Sequence, residues 1–255
     1  MKSSQRIKIG NKWIGGAAPC FIVAEAGANH EGDFNKAKQL IDAAHSAGSD
    51  SIKFQHYTAE KMAAKEAKRY WYVRGDEAGF QFDPKKYKED QRSTFAKIDG
   101  IPREKDSELM NYGSQKGIMV FSTPFDYESV DHLMKLNTPM FKIASGDITH
   151  HHFIEYIAKK GKPVALSTGA SNLDEIKAAV QVIQKTGNDQ IILLHCTLAY
   201  PTPLNHANLL MMKHLDEEFP NALIGLSDHT PGMEADVAAA ILGAVMIEKH
   251  FTHTP

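Results

Sequence analysis

The 255-residue chain is long enough to bury a large core, and a net charge of −2 with 24% charged residues gives no electrostatic case for nucleic acid or an anionic membrane as partner. Its two cysteines, Cys20 and Cys196, sit in apolar runs and are too few for a disulfide framework, so a reducing cytoplasm is the expected compartment. The opening MKSSQRIKIG has no apolar stretch like that of a secretory signal, and no run approaches the roughly 20 apolar residues that span a bilayer.

In chain order, RIKIGNKWIGG alternates about a Gly-Asn turn and predicts a hairpin. FIVAEAG (Phe21–Gly27) predicts a strand, followed by a helix on which Phe34, Ala37, Leu40, Ile41 and Ala44 share a face. Asp33 suits the start of that helix and Gly48 its stop. SIKFQHY predicts the next strand. A long polar segment, Thr58–Arg103, then interrupts the rhythm before a helix in EKDSELMNYGSQKG. IMVFSTP is followed by a helix opened by Asp126, with Val130, Leu133 and Met134 inward. MFKIASG precedes HFIEYIAKKG. PVALSTG precedes SNLDEIKAAVQVIQKTG, which opens with a capping box of Ser171 and Asp174. QIILLHC precedes ANLLMMKHLDEEF, ALIGLSDH precedes MEADVAAAILGA, and AVMIEKHFT is the last strand.

These are eight strands and seven intervening helices. The strands are near-continuous apolar runs, as parallel strands covered on both faces require. Strict alternation then favours a (β/α)8 TIM barrel, α/β in class, over an open doubly wound sheet. The hairpin is expected to plug the N-terminal mouth of that barrel. No Gly-x-Gly-x-x-Gly follows the first strand, which argues against a dinucleotide site.

In such a barrel the site lies at the carboxyl ends of the strands. Read in order, those ends carry Glu25 with Asn29 and His30, Lys53 and Gln55, Ser122 and Thr123, then Lys142, Ser145 and Asp147. They continue with Ser167 and Thr168, His195 to Thr197, Ser227 with Asp228 and His229, and finally Glu248, Lys249 and His250. A single polar strand end can be an exit to solvent, but a whole ring of them reads as a site. Lys53 and Lys142, with the hydroxyls of Thr123, Ser145, Ser167 and Ser227, suit phosphate and carboxylate oxygens. His229 and His250 end adjacent strands, about 4.8 Å apart in a sheet. Two neutral imidazoles so placed could share one divalent metal, although a hydrogen-bonded structural role stays open for either.

Taken together, AEAGANHEGD, IKFQ, FSTPFD, FKIASGD, LSTGAS, HCTLAYPTP, GLSDHT and IEKHFT resemble the sialic acid (N-acetylneuraminate) synthase family, from about residue 18 to the last residue and in the same order. The resemblance implies a metal-dependent TIM-barrel transferase, usually with Mn²⁺ and with Mg²⁺ or Co²⁺ as alternatives. Its reaction condenses phosphoenolpyruvate with an N-acetylmannosamine-type sugar. The products are a nine-carbon 2-keto acid (sialic acid or a related nonulosonic acid) and phosphate, released by C–O cleavage. Carried across, it implies that His229 and His250 ligate the metal. Lys53, Thr123, Lys142, Ser145, Ser167 and Ser227 hold phosphoenolpyruvate, Gln55, Asp147 and Tyr200 face the sugar, and Glu25 handles a proton of the attacking water. On this reading Glu248, Lys249 and His250 are delivered together to the site.

Three departures bear on the acceptor. Asp147 stands where many members have glutamate, Leu198 where many have Asn or Ser, and the 58–103 segment with Tyr70, Trp71 and Tyr72 does not match the family's sugar-binding loop. Such an aromatic cluster is more often packing than a sugar platform. The competing readings are another phosphoenolpyruvate-dependent aldol synthase with a different acceptor, and a non-catalytic sugar- or protein-binding barrel. No additional basic cluster at the strand ends provides for a second phosphate, and a binding module has no need of Glu25, both lysines and both histidines at once. The whole of 1–255 reads as one catalytic barrel with no helix after the eighth strand. The family's small antifreeze-like C-terminal lid domain, which implies a domain-swapped homodimer, is absent from this sequence, so the chain is expected to be part of a longer polypeptide.

Overall fold

The structure is a computed structural model that describes residues 5–67, 90–98 and 101–252. Tyr70, Trp71 and Tyr72 lie outside the described residues. The hairpin comes first, β1 (Ile7–Ile9) pairing antiparallel with β2 (Lys12–Ile14), and Gly10 takes the left-handed conformation at its turn (φ +56°). Then follow β3 (Phe21–Gly27), α1 (Phe34–Ser46), β4 (Ser51–His56), α2 (Ala59–Met62), α3 (Gln91–Ile98), α4 (Asp106–Lys116), β5 (Met119–Pro124) and α5 (Tyr127–Lys135). The chain continues through β6 (Phe141–Ile143), α6 (His151–Ala158), β7 (Val164–Ser167), α7 (Leu173–Lys185), β8 (Ile191–Cys196), α8 (Met211–Glu218), β9 (Leu223–Asp228), α9 (Glu234–Ile241) and β10 (Met246–His250).

Strands β3 to β10 form one parallel sheet in the order β5-β4-β3-β10-β9-β8-β7-β6, and its two outer strands β5 and β6 lie side by side, so the sheet curls nearly shut. The eight strands and seven crossover helices expected from the alternation are present, and the 58–103 segment adds the short α2 and α3. No helix among the described residues is long and apolar enough to cross a membrane.

Burial follows the pattern that the apolar runs require. The outward faces of the strands and the inward faces of the helices make a continuous layer that includes Phe141, Phe153, Ile154, Val180 and Leu193. A second cluster fills the barrel interior, where Ile7, Ile9 and Ile14 of the hairpin pack against Phe21, Phe121, Met140, Ile192 and Met246. The hairpin therefore plugs the amino-terminal end of the barrel.

Three helices, α1, α5 and α7, start on short polar side chains. Asp33 Oδ1 accepts from the amides of Asn35 and Lys36 at 2.7 and 3.1 Å, and Asp126 accepts from the amide of Ser129 at 2.8 Å. At α7 the expected box of Ser171 and Asp174 falls one residue later. Asn172 and Glu175 form it, each side chain accepting from the other's amide. Ser171 instead donates its hydroxyl to the Gly169 carbonyl, which leaves Asn172 to take the cap.

Candidate active site

Four charged side chains meet inside the carboxyl end of the barrel. Glu25 (β3), Lys53 (β4), Lys142 (β6) and Glu248 (β10) are each at most 6% exposed. Lys53 Nζ lies 2.7 Å from Glu25 Oε2, an ion pair angled outside hydrogen-bond range, donates to Thr123 Oγ1 at 2.8 Å, and stands 3.7 Å from Glu248 Oε2. Lys142 Nζ lies 3.6 Å from Glu248 Oε1 and donates to its neighbouring carbonyl at Ile143. Ser227 donates to Glu248 Oε1 at 3.2 Å, and Gln55 Nε2 donates to Glu25 Oε1 at the same distance. Two cations and two anions thus make a self-neutralised ring, the arrangement that lets charges stay buried at all.

The ring shifts each group differently. Burial raises the Glu25 carboxyl, and although Lys53 opposes this the net shift is upward. Burial works to raise Glu248 as well, but Lys142 and Lys53 outweigh it and hold that carboxyl low. Burial also lowers the Lys142 ammonium, against the pull of Glu248. Lys53 is likewise penalised by burial, yet Glu248 and Glu25 carry it upward.

A β-bulge aims Glu25. The β3–β4 register runs Glu25 to Lys53 and then Gly27 to Phe54, so one residue is left out of the ladder. Gly27 turns there at φ +54°, a conformation that a side chain rarely takes.

Beside the ring stand His229 and His250, with ring centroids 5.4 Å apart. Tyr200, largely exposed, lies over His229 at 4.0 Å and reaches His250 at 6.1 Å. Nδ1 of His229 donates to the Thr197 carbonyl at 3.1 Å, which leaves Nε2 with its lone pair free for a cation. Loss of hydration pushes the pKa of His229 down to about 4, and crowding by its neighbours, helped by Lys53 and Lys142, also lowers that of His250, which keeps one edge exposed. Both imidazoles are therefore neutral near pH 7, the form that ligates. The chemistry of this pair fits a divalent metal.

Around the ring lie hydroxyls with spare capacity. Ser145 Oγ accepts from the Gly169 amide at 3.0 Å, so its hydrogen remains available. Ser167 Oγ, buried at the end of β7, has no hydrogen-bond partner among the described residues. A buried hydroxyl without a partner is costly unless something completes it. Asp147, in the turn after β6, is half-buried, and burial raises its carboxyl.

The structure divides some residues that the sequence groups together. Glu248 and His250 face the barrel mouth, but Lys249 points the other way and binds Asp228, with Asp236 at 3.0 Å. The expected joint delivery of Glu248, Lys249 and His250 is corrected on this point: the pleat sends alternate residues to opposite faces. His195 also leaves the ring, since its Nε2 donates to the Ala207 carbonyl at 2.8 Å. Conversely, Glu248 is the counter-ion that both lysines share, a role that its sequence position did not disclose.

A second group of candidate ligands lies outside the mouth. His56 at the end of β4 and His132 of α5 both aim Nε2 at Asp106 Oδ2 of α4, at 2.7 and 2.9 Å. The ligand atoms of the three residues lie within 4.8 Å of one another and could hold a cation.

Fold and site define the class as a (β/α)8 barrel with an anion- and metal-suited centre at its strand ends. Residues 40–255 match the model of the NeuB family, and the chain belongs to that family. N,N'-diacetyllegionaminic acid synthase of Campylobacter jejuni is 42% identical over 91% of this chain and 67% of its own length. Human N-acetylneuraminate-9-phosphate synthase is 35% identical over 94% of this chain and 64% of its own length. The crystal structure of N-acetylneuraminic acid synthetase from Leptospira borgpetersenii serovar Hardjo-bovis, in complex with citrate, superposes with a TM-score of 0.84 at 34% identity, covering 98% of this chain and 79% of that one. The chain spans about two thirds of the length of the curated relatives it matches.

Proposed function

We propose that this chain carries the catalytic barrel of a metal-dependent synthase that joins phosphoenolpyruvate to an N-acetylmannosamine-type sugar, giving a nonulosonic acid and phosphate by C–O cleavage. The observation that carries the reading is the buried Glu25–Lys53–Glu248–Lys142 ring set against the neutral His229–His250 pair. The names of the synthases it resembles support the same reading.

His229 and His250 would hold the metal, Mn²⁺ in first place, which when bound supplies Lewis-acid polarisation of the sugar's aldehyde oxygen. Lys53 and Lys142 counter the phosphate and carboxylate of phosphoenolpyruvate. Thr123 and Ser145 accept hydrogen bonds within the protein, so each keeps a hydrogen to donate, and Ser167 gains the partner it lacks. Ser227, whose hydrogen goes to Glu248, joins this set when the entering anion takes the place of that carboxylate. An entering anion draws the lysines away from their carboxylates. Glu25, already raised by burial, is then the group that takes a proton, and it serves as base toward the water that captures the cationic C2 centre. Gln55, Asp147 and Tyr200 line the approach of the sugar. Turnover, choice of sugar and a homodimer of the whole protein belong to the same proposal.

The test is phosphate release from phosphoenolpyruvate with Mn²⁺ and a panel of N-acetylhexosamines. Release that depends on an N-acetylated mannosamine supports the reading. Release only with a phosphorylated aldose would replace the acceptor, and binding without release with every sugar and metal would leave a non-catalytic barrel.

A further inference from the structure

The His56–Asp106–His132 group is not part of the reaction just described, and its hydrogen bonding poses a problem. Ser129 Oγ donates its one hydrogen to Asp126 Oδ2 at 2.9 Å and accepts from Arg103 Nη2 at 3.1 Å. Its contact with His56 Nδ1, also at 3.1 Å, must therefore have the imidazole as donor. With hydrogen on Nδ1, a neutral His56 turns the Nε2 lone pair toward the Asp106 carboxylate at 2.7 Å. Two acceptors cannot face each other at that distance without a positive charge between them. Either a proton or a metal ion provides it.

The surroundings suit the metal. The two imidazole rings are near-parallel, with centroids 5.2 Å apart, and both present Nε2 to one carboxylate oxygen. Nδ1 of His56 has the outer partner that orients a ligating histidine, a hydroxyl tied onward to a carboxylate. Two nitrogens and one oxygen from three separate elements are a donor set for Zn²⁺, whose tetrahedral bonds of about 2.0–2.2 Å need neighbouring ligand atoms about 3.3 Å apart. The present contacts of 2.7 and 2.9 Å have to open by only about half an ångström. His56 and Asp106 also line a cleft of about 470 Å³, from which water can take the fourth position.

We propose that His56, Asp106 and His132 form a second divalent-metal site, for Zn²⁺, that clamps the end of β4 to α4 and α5 outside the barrel mouth. It stands apart from the proposed reaction. In this position Zn²⁺ fixes the end of β4 against α4 and α5, and it supplies the positive charge that the His56–Asp106 contact requires.

The test titrates the metal-stripped wild-type protein with Zn²⁺ by calorimetry and with Co²⁺ as a visible probe. His132→Gln, Asp106→Asn and His250→Ala proteins are measured alongside. The first two should each lose one equivalent per chain together with the four-coordinate Co²⁺ absorption, while His250→Ala keeps that equivalent. Failure of the mouth to bind metal would change only the His250→Ala comparison, so the two ideas fail separately. If His132→Gln or Asp106→Asn does not fold, imidazole proton resonances of the unsubstituted protein give the same answer, because His56 and His132 signals should shift with one equivalent of Zn²⁺. Wild-type Zn²⁺ stoichiometry in both variants, or unmoved His56 and His132 signals, would overturn the proposal in favour of a protonated His56–Asp106 pair.

Discussion

The two ends of the barrel are buried to a similar degree by opposite means. At the amino-terminal end, Ile7, Ile9 and Ile14 of the hairpin are at most 4% exposed and pack in an apolar cluster. At the carboxyl end, Glu25, Lys53, Lys142 and Glu248 are just as inaccessible but are held by one another's charge. Apolar burial stabilises whatever its orientation, whereas a buried ion pair is neutral at best and fails badly if one partner is lost. The plugged end thus gains from burial in any arrangement, whereas the carboxyl end depends on every charged partner staying in place.

The largest expected break in this contrast is at His229 and His250, the pair proposed to hold the metal. His229→Ala or His250→Ala should abolish metal-dependent turnover with little change in the unfolding midpoint, since both imidazoles stand at the rim; unchanged Mn²⁺ affinity in both proteins would remove the assignment. Next, Lys53→Met leaves Glu25 without its ion-pair partner and Glu248 with one cation fewer, at a cost of about 3–5 kcal/mol in urea unfolding, together with weaker phosphoenolpyruvate binding. Adding Glu25→Gln should recover much of the stability but none of the binding. A structural role alone predicts recovery of both.

Ile9→Ala tests the other end. Truncating a side chain with no exposure should cost about 2–5 kcal/mol, with KM for phosphoenolpyruvate unmoved. A matching rise in KM would show that the two ends are coupled through the barrel wall. The smallest effect concerns Cys20, just ahead of β3, whose thiol is pushed up to about 12 by burial and by Asp50 and Asp236. Alkylation at pH 8, followed by mass spectrometry, should be slower in the folded than in the unfolded chain.

Much of this was legible in the sequence because parallel strands announce themselves. Continuous apolar runs such as QIILLHC, each ending in polar residues, give both the barrel and the rim of its site. Single-residue phase was harder to read. IEKH shows three ionisable groups in a row, and only the pleat reveals that Lys249 belongs to Asp228 and Asp236 on the other face. The α7 cap slipped by one residue for a similar reason, since Ser171 and Asn172 are both good caps and only the loop path chooses between them. The His56–Asp106–His132 group was invisible because its members are spread over 76 positions and three elements, with no spacing that marks them.

Strand β4 serves both places at once. Lys53 and Gln55 turn toward Glu25, while His56, the very next residue, turns toward Asp106 and Ser129. The two clusters are therefore two readings of one parity, the odd positions for the barrel interior and the even ones for the helices. A one-residue insertion between the start of β4 and Lys53 would invert that parity. It would carry the lysine into the apolar layer, bring Phe54 to the barrel mouth, and dismantle both clusters in a single step. A two-residue insertion would keep the parity and displace each group along the strand by only one pleat, roughly 6.6 Å.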